Sequence, residues 1–303
     1  MTMNRCIPSF HFAYVTNYQD NTISVIDTRT RKVKATIKTG KGPFEIAVTP
    51  DGKHAVVINK TDNTAQVIQR STNKIISTIP VGKSPSDVGT SQRYVYVTNS
   101  ADKTVSVLCI KKRKVIQTLK VGHRPIGVTV TPQKRGQRTL GYVSNHDSNT
   151  ISIFDAKCNK VIDTIPAGVG PDQIAFTRNR KLAYVTTNHN VLVIGTRSRR
   201  ILSQIKVGSK PIGVAITPND QFAYVGNEGD NTVSVILLQK NKVIATVPVG
   251  KKPGIVAITQ NGKYAYVANF GENTVSVISV QDNKVIDTIK VGNAASGLAI
   301  IPL

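Results

Sequence analysis

The sequence predicts an all-β fold, a seven-bladed β-propeller with four antiparallel strands per blade, and three observations predict it. A tyrosine position recurs as Tyr14, Val56, Tyr96, Tyr142, Tyr184, Tyr224 and Tyr266, at intervals of 42, 40, 46, 42, 40 and 42 residues. A closing glycine recurs independently as Gly40, Gly82, Gly122, Gly168, Gly208, Gly250 and Gly292, so both markers count seven units. Each unit holds four short apolar runs, and a period of ~40–45 residues with four strands is the signature of a propeller blade.

The clearest copy, residues 261–292, shows why each run is a strand. Tyr266, Val267 and Ala268 form a short aromatic and β-branched run, and residues 269–273 supply the Asn, Gly and acidic side chains that turn a chain. A second run follows over 274–279, breaks at the polar residues 281–283, and a third run over 285–291 ends at Gly292. In other copies a proline comes next and opens a fourth run, as in Pro211, Ile212, Gly213, Val214, Ala215 and Ile216. The chain enters this pattern at Phe12 with a blade's second strand, while GLAIIP (297–302) matches the first-strand copy GVAITP (213–218). The two ends therefore share blade one, closed by the C-terminal strand, and no sheet face is left open between first and last blades. Blades two to seven begin near Pro43, Pro85, Pro125, Pro171, Pro211 and Pro253. A closed ring of repeats makes residues 1–303 one domain, with 1–10 an N-terminal extension and repeats over 11–302. The irregularities fall in loops: an insertion at 133–139 in blade four, and loss of the Asp-Asn-Thr turn near His189 and Asn190 in blade five.

The motif stands as AYVTN (13–17), VYVTN (95–99), GYVSN (141–145), AYVGN (223–227) and AYVAN (265–269), which resembles the YVTN family of β-propeller repeats. That resemblance spans nearly the whole chain and implies a scaffold shared by surface-layer proteins, lactonase-like and lyase-like enzymes, and relatives of quinone enzymes.

No segment reaches the ~18 apolar residues that span a bilayer, and the N-terminal MTMNRCIPSF lacks the apolar stretch of a secretory signal. A monomer that is not transmembrane, cytoplasmic as the sequence stands, is expected. Cys6, Cys109 and Cys158 are odd in number and widely spaced, forming neither a disulfide framework nor a zinc pattern. No cofactor or metal is expected: nucleophile-elbow and Walker patterns are absent, and the lack of Trp weakens a quinone-stacking reading. The Asp-Asn-Thr turns lack the dense carboxylates calcium wants and read as hairpin turns, since Asn tolerates the left-handed conformation.

Two sets of residues are candidates for chemistry near the channel. At the third position of the first strand stands Gly127, Gly213 or Gly297, but Glu45, Asp87 and Gln173 replace it elsewhere and could offer oxygen atoms to a cation or small polar ligand. His123, His146 and His189 fall in turns of blades four and five, where three imidazoles could suit zinc or acid–base work, although they have no ligand spacing. The corresponding alternative function is a lyase or lactonase-like enzyme with its site at the top of the channel.

Charge carries the stronger functional signal. The chain has 40 Lys plus Arg against 17 Asp plus Glu, a net +23. Successive strands run down and up, so third-to-fourth hairpins and first-to-second loops share one face; those loops hold 26 cations against 5 acids, or +21 of the +23. The densest runs are Lys111, Lys112, Arg113 and Lys114 in blade three, Lys134, Arg135 and Arg138 in blade four, and Arg197, Arg199 and Arg200 in blade five. A non-enzymatic binding propeller follows, whose partner is a polyanion (a nucleic-acid backbone or anionic membrane surface) or an acidic protein. Aromatic residues are missing from these loops, which argues against base stacking.

Overall fold

Short β-branched runs bounded by Asn, Asp and Gly fold into strands because such side chains suit a pleated surface and such boundaries turn the chain. In the computed structural model, which describes residues 12–134 and 136–301, 28 strands form seven four-stranded antiparallel sheets. Blade seven comprises Pro253–Ile258, Tyr264–Asn269, Thr274–Ser279 and Lys284–Lys290, innermost to outermost. The turns between second and third strands place Asn21, Asn63, Asn149, Asn231 and Asn273 at φ of 55–58°, the left-handed region that Asn tolerates.

Blade one closes as expected. Ala295–Ile300 lies antiparallel to Phe12–Asn17, pairing Ile300 with Ala13 and Leu298 with Val15. Blade four accommodates its insertion between Pro125–Val130 and Leu140–Asn145; Arg135, inside it, lies outside the described residues, as do Cys6 and the N-terminal extension. Blade five departs from expectation: its innermost strand shrinks to Ile174–Phe176, leaving Pro171 outside it. Two polar residues, Asp172 and Gln173, follow that proline where other blades continue with strand.

The middle strands are buried on both faces, as Phe12–Asn17 and Thr22–Asp27 illustrate, because each blade packs between two others. Seven apolar clusters result, each spanning two successive blades; one joins Val275 and Val277 of blade seven to Val15 and Leu298 of blade one. The outermost strands are largely exposed, and Lys34, Lys38, Lys120, Lys206 and Lys290 on them discourage edge-to-edge pairing. At the axis the innermost strands approach so closely that a Cβ on Gly297 would sit 2.6 Å from the Phe44 carbonyl oxygen, and one on Gly213 equally near that of Gly254. Glycine at this position permits those close approaches, while Glu45, Asp87, Gln173 and Ile255 occupy it in the other four blades. Among the described residues no helix is long and apolar enough to cross a membrane.

Removing residues 297–303 should unseat blade one, because it strips Leu298 and Ile301, 4% and 2% exposed, from their clusters. At ~1.5–3 kcal/mol for each buried aliphatic side chain, plus the lost strand pairing, this rivals the ~5–15 kcal/mol stability of a typical domain. The truncated protein is expected to be insoluble or to melt far below the full chain; a thermal melt within a few degrees of it would refute the closure.

Candidate functional site

The Tyr-Val-Thr-Asn residues are seams between blades, and wherever their polar groups are paired they are structural. The threonine hydroxyl accepts from an innermost-strand N–H of its own blade and donates to an innermost-strand carbonyl of the next. Thr16 accepts from Gly297 at 2.7 Å and donates to Phe44 at 2.9 Å, and Thr186 accepts from Gln173 at 2.9 Å and donates to Ile212 at 2.7 Å. The asparagine ties the following strand and the preceding blade: Asn17 Nδ2 donates to Thr22 and Ser24, and its Oδ1 accepts from Gly292 N at 3.1 Å. The tyrosine hydroxyl reaches the next blade's third-to-fourth hairpin. Tyr14, Tyr96, Tyr184 and Tyr224 donate to Asn73, Asn159, Asn241 and Asn283 at 2.6, 2.9, 2.8 and 2.7 Å. These side chains hold the ring together, so function has to reside where the repeats differ.

One such place is the axis. Glu45 and Asp87 are 7% and 5% exposed, and their carboxylates are engaged by backbone. Asp87 accepts from Val88 N and from Val128 N of the next blade, each at 2.7 Å, and Gln173 donates to the same carboxylate. Glu45 accepts from Ile46 N at 3.2 Å and from Leu298 N across the seam. These N–H groups belong to innermost strands whose ladders are interrupted by bulges, so the carboxylates satisfy donors that would otherwise be orphaned at the axis. Asp172, which the count of two residues past the proline does not reach, joins the group. Burial, then the neighbouring Asp87, pushes the Asp172 carboxyl up to about 7, against the pull of Arg124. Burial likewise raises Asp87 to about 6, and burial followed by the Asp87 and Asp172 charges holds Glu45 well above the usual carboxylate range. Like charges sharing a dry site favour protonation. The sequence signal for Asp172 was the paired polar residues after Pro171, where the strand is shortest.

The His123 and His146 turns are joined by backbone, Asp147 N donating to the His123 carbonyl at 3.3 Å. His123 and His189 are exposed, with His123 N donating to Ser148 Oγ at 2.7 Å. His146 lies 2.9 Å from Asp147 Oδ1 through Nδ1, and this contact, followed by Arg124 at 3.2 Å, holds the Asp147 carboxyl below its usual range. Among the described residues no group of three or more His, Cys, Asp or Glu is placed to hold a metal ion. Cys109 and Cys158 are free thiols.

The basic loops behave differently. Lys111, Lys112, Arg113, Lys114, Lys134, Arg138, Arg197 and Arg200 are exposed, and among the described residues only Arg138 of these has an ion pair, with Asp155 at 3.8 Å. Arg199 is half-buried and clamps Asp163 of blade four at 2.5 Å, so it serves a blade junction rather than standing free. The clefts on this face include one of about 640 Å³ bordered by Arg93, Arg138 and Lys157, and one of about 910 Å³ bordered by Lys134, Arg180, Lys181 and Arg197. These two share Thr131 and Gln137, which makes the surface of blades four and five continuous with that of blade three.

Fold and seams together define a closed repeat propeller, with seven blades stitched by one recurring motif. The chain belongs to the YNCE-like beta-propeller family, which matches over residues 4–94 and 131–221, more than half its length. Residues 196–297 also match the lactonase family of seven-bladed beta-propellers. No curated protein matches the chain. Among solved structures it is similar to hydrazine synthase of Kuenenia stuttgartiensis (TM-score 0.80, 19% identity, 88% of this chain and 92% of that one). It is also similar to a protein of unknown function from Desulfotomaculum acetoxidans (TM-score 0.83, 18% identity, 95% and 98%). A candidate 6-phosphogluconolactonase from Bacteroides uniformis aligns with TM-score 0.80 at 16% identity, over 97% of this chain and 100% of that one. At these identities the likeness is one of fold.

The axial carboxyls give stability a definite pH dependence. Their folded pKa values, about 6 for Asp87 and about 7 for Asp172, lie above the ~3.9 of an unfolded aspartate. From about pH 4 to 7 the folded chain therefore holds protons the unfolded chain has released; this stabilisation is complete below ~4 and is lost as pH rises through the folded values. Asp172→Asn mimics the protonated state. It should melt several degrees above the parent at pH 8 and alongside it at pH 4; an equal shift at both pH values would show that Asp172 carries no such linkage.

Proposed function

We propose that this chain is a non-enzymatic interaction propeller that binds a polyanionic backbone across its basic face, by charge and without reading sequence. The observation that carries the reading is the segregation of charge, with exposed and mostly unpaired Lys and Arg on the loops of blades three, four and five. Phosphates neutralised by such side chains release counterions, so affinity for duplex DNA should fall steeply with salt, with a log–log slope of about −0.9 per phosphate contacted. Arg200 and Arg113 offer planar forks suited to phosphate oxygens, while the lysines act as point charges. Glu at Lys112, Arg113 and Arg200 should abolish duplex binding at low salt, whereas Glu at Lys41, Lys83, Lys210 and Lys251 on the opposite face should leave it nearly intact. Equal losses from both sets, or no binding by the parent at low salt, would overturn the reading; binding to anionic vesicles but not duplexes would assign the face to a membrane surface.

A second reading is favoured by the raised carboxyls at the axis together with the lactonase-family match: hydrolysis of a small lactone with Asp172 as acid–base group. A carboxyl near 7 is suited to proton transfer at neutral pH. Acid release from simple sugar lactones, lost in Asp172→Asn and kept in Arg200→Glu, would support it; no turnover by the parent would remove it.

A further inference from the structure

The seam between blades four and five is built differently from the others. The hairpin position that receives the tyrosine hydroxyl is residue 31, 73, 113, 159, 199, 241 or 283, and in every blade it has left-handed φ between 48° and 56°. Where the preceding blade offers Tyr14, Tyr96, Tyr184 or Tyr224, this position is Asn and accepts the hydroxyl. Blade two offers Val56, with no hydroxyl, and faces Arg113. Tyr266 faces Arg31 and donates instead to the Thr28 carbonyl at 3.3 Å. Tyr142 alone among the described tyrosines of this series lacks a partner, because Arg199 replaces the asparagine and turns to Asp163. Tyr142 is 1% exposed, and leaving a buried hydroxyl unpaired destabilises the fold. Beside it Arg180, itself at φ 66°, directs Nη2 to Thr131 and the Arg138 carbonyl while its buried Nη1 is also without a partner.

Both side chains line the 910 Å³ cleft whose rim carries Lys134, Lys181 and Arg197. The unmet groups there are donors, a guanidinium N–H and a phenol O–H; the rim charge is positive, and the nearby Asp163 carboxylate is held by Arg199. What satisfies all of them is an anionic acceptor with several oxygens. From this geometry we infer that the cleft between blades four and five is a discrete binding site for a phosphate group, held by Tyr142 and Arg180 at its floor and by Lys134, Lys181 and Arg197 at its mouth. Guanidinium and hydroxyl donors bind phosphate through charge-assisted hydrogen bonds, stronger than those between neutral groups. The insertion of blade four supplies Lys134, and the blade five loop supplies Arg180 and Lys181, so the site draws on the two blades where the repeats depart most.

The inference rests on the reading of this face as anion-binding, but the two can fail separately. Inorganic phosphate titrated calorimetrically into the full chain should bind with one-to-one stoichiometry. Tyr142→Phe should weaken it about tenfold, the effect of one charge-assisted hydrogen bond, while melting at or above the parent because it deletes an unpaired hydroxyl. Arg180→Lys should also weaken phosphate, whereas Glu at Lys112 and Arg113 should not. Glycerol 3-phosphate competing with inorganic phosphate would point to a soluble phosphomonoester, and competition only by vesicles carrying phosphatidic acid would point to a lipid headgroup. Absence of phosphate binding, or undiminished binding by Tyr142→Phe, overturns the site even if salt-sensitive duplex binding persists; lost duplex binding with phosphate binding retained sinks the extended polyanion face and leaves the pocket.

Discussion

A four-stranded sheet whose two middle strands are apolar on both sides has no stable existence alone, and everything else in this chain follows from that constraint. Each blade must be covered twice, and a ring is the arrangement in which every blade covers its successor with none left over. The seven apolar clusters are accordingly located between blades, each drawing on two of them. Burial of this kind is non-directional, however, and by itself would let blades slide or rotate over one another.

Direction comes from the polar residues of the motif. The tyrosine hydroxyl fixes one end of the seam, the threonine hydroxyl fixes the axis, and the asparagine fixes the turn of the preceding blade. These groups lie in a dry interface, where an unmet hydrogen bond is costly, so each seam is specified by a small set of side chains and not by area alone. The same economy explains the axial acids. Glu45 and Asp87 stand where other blades have glycine, and each carboxylate takes up N–H groups on both sides of a seam.

Blades four and five gather the departures from this scheme: a longer loop, a shortened innermost strand, a missing turn, and an arginine in place of the seam asparagine. A repeat protein can afford such changes locally because each blade contacts only its neighbours, so one altered seam leaves the others intact. Function in repeat scaffolds is expected where repetition fails.

By itself the sequence determined the blade count and the sharing of blade one by both ends. These are consequences of periodicity, and periodicity survives in a one-dimensional string: Tyr14 to Tyr266 and Gly40 to Gly292 mark the same seven units that the strands form. The candidate site was legible only in part. Glu45, Asp87 and Gln173 could be singled out as replacements of an expected glycine, yet that Glu45 and Asp87 accept from Leu298 and Val128, and that Gln173 donates to Asp87, depends on which blades become neighbours at the axis. His123, His146 and His189 shared a region in the repeat pattern, but tertiary structure joins the His123 and His146 turns by backbone hydrogen bonds and turns the His146 ring to Asp147. Tyr142 looked like every other tyrosine of the motif. Only the fold decided that it faces Arg199 across a seam, because its partner lies 57 positions along the chain and the missing acceptor is visible only when both strands are in place.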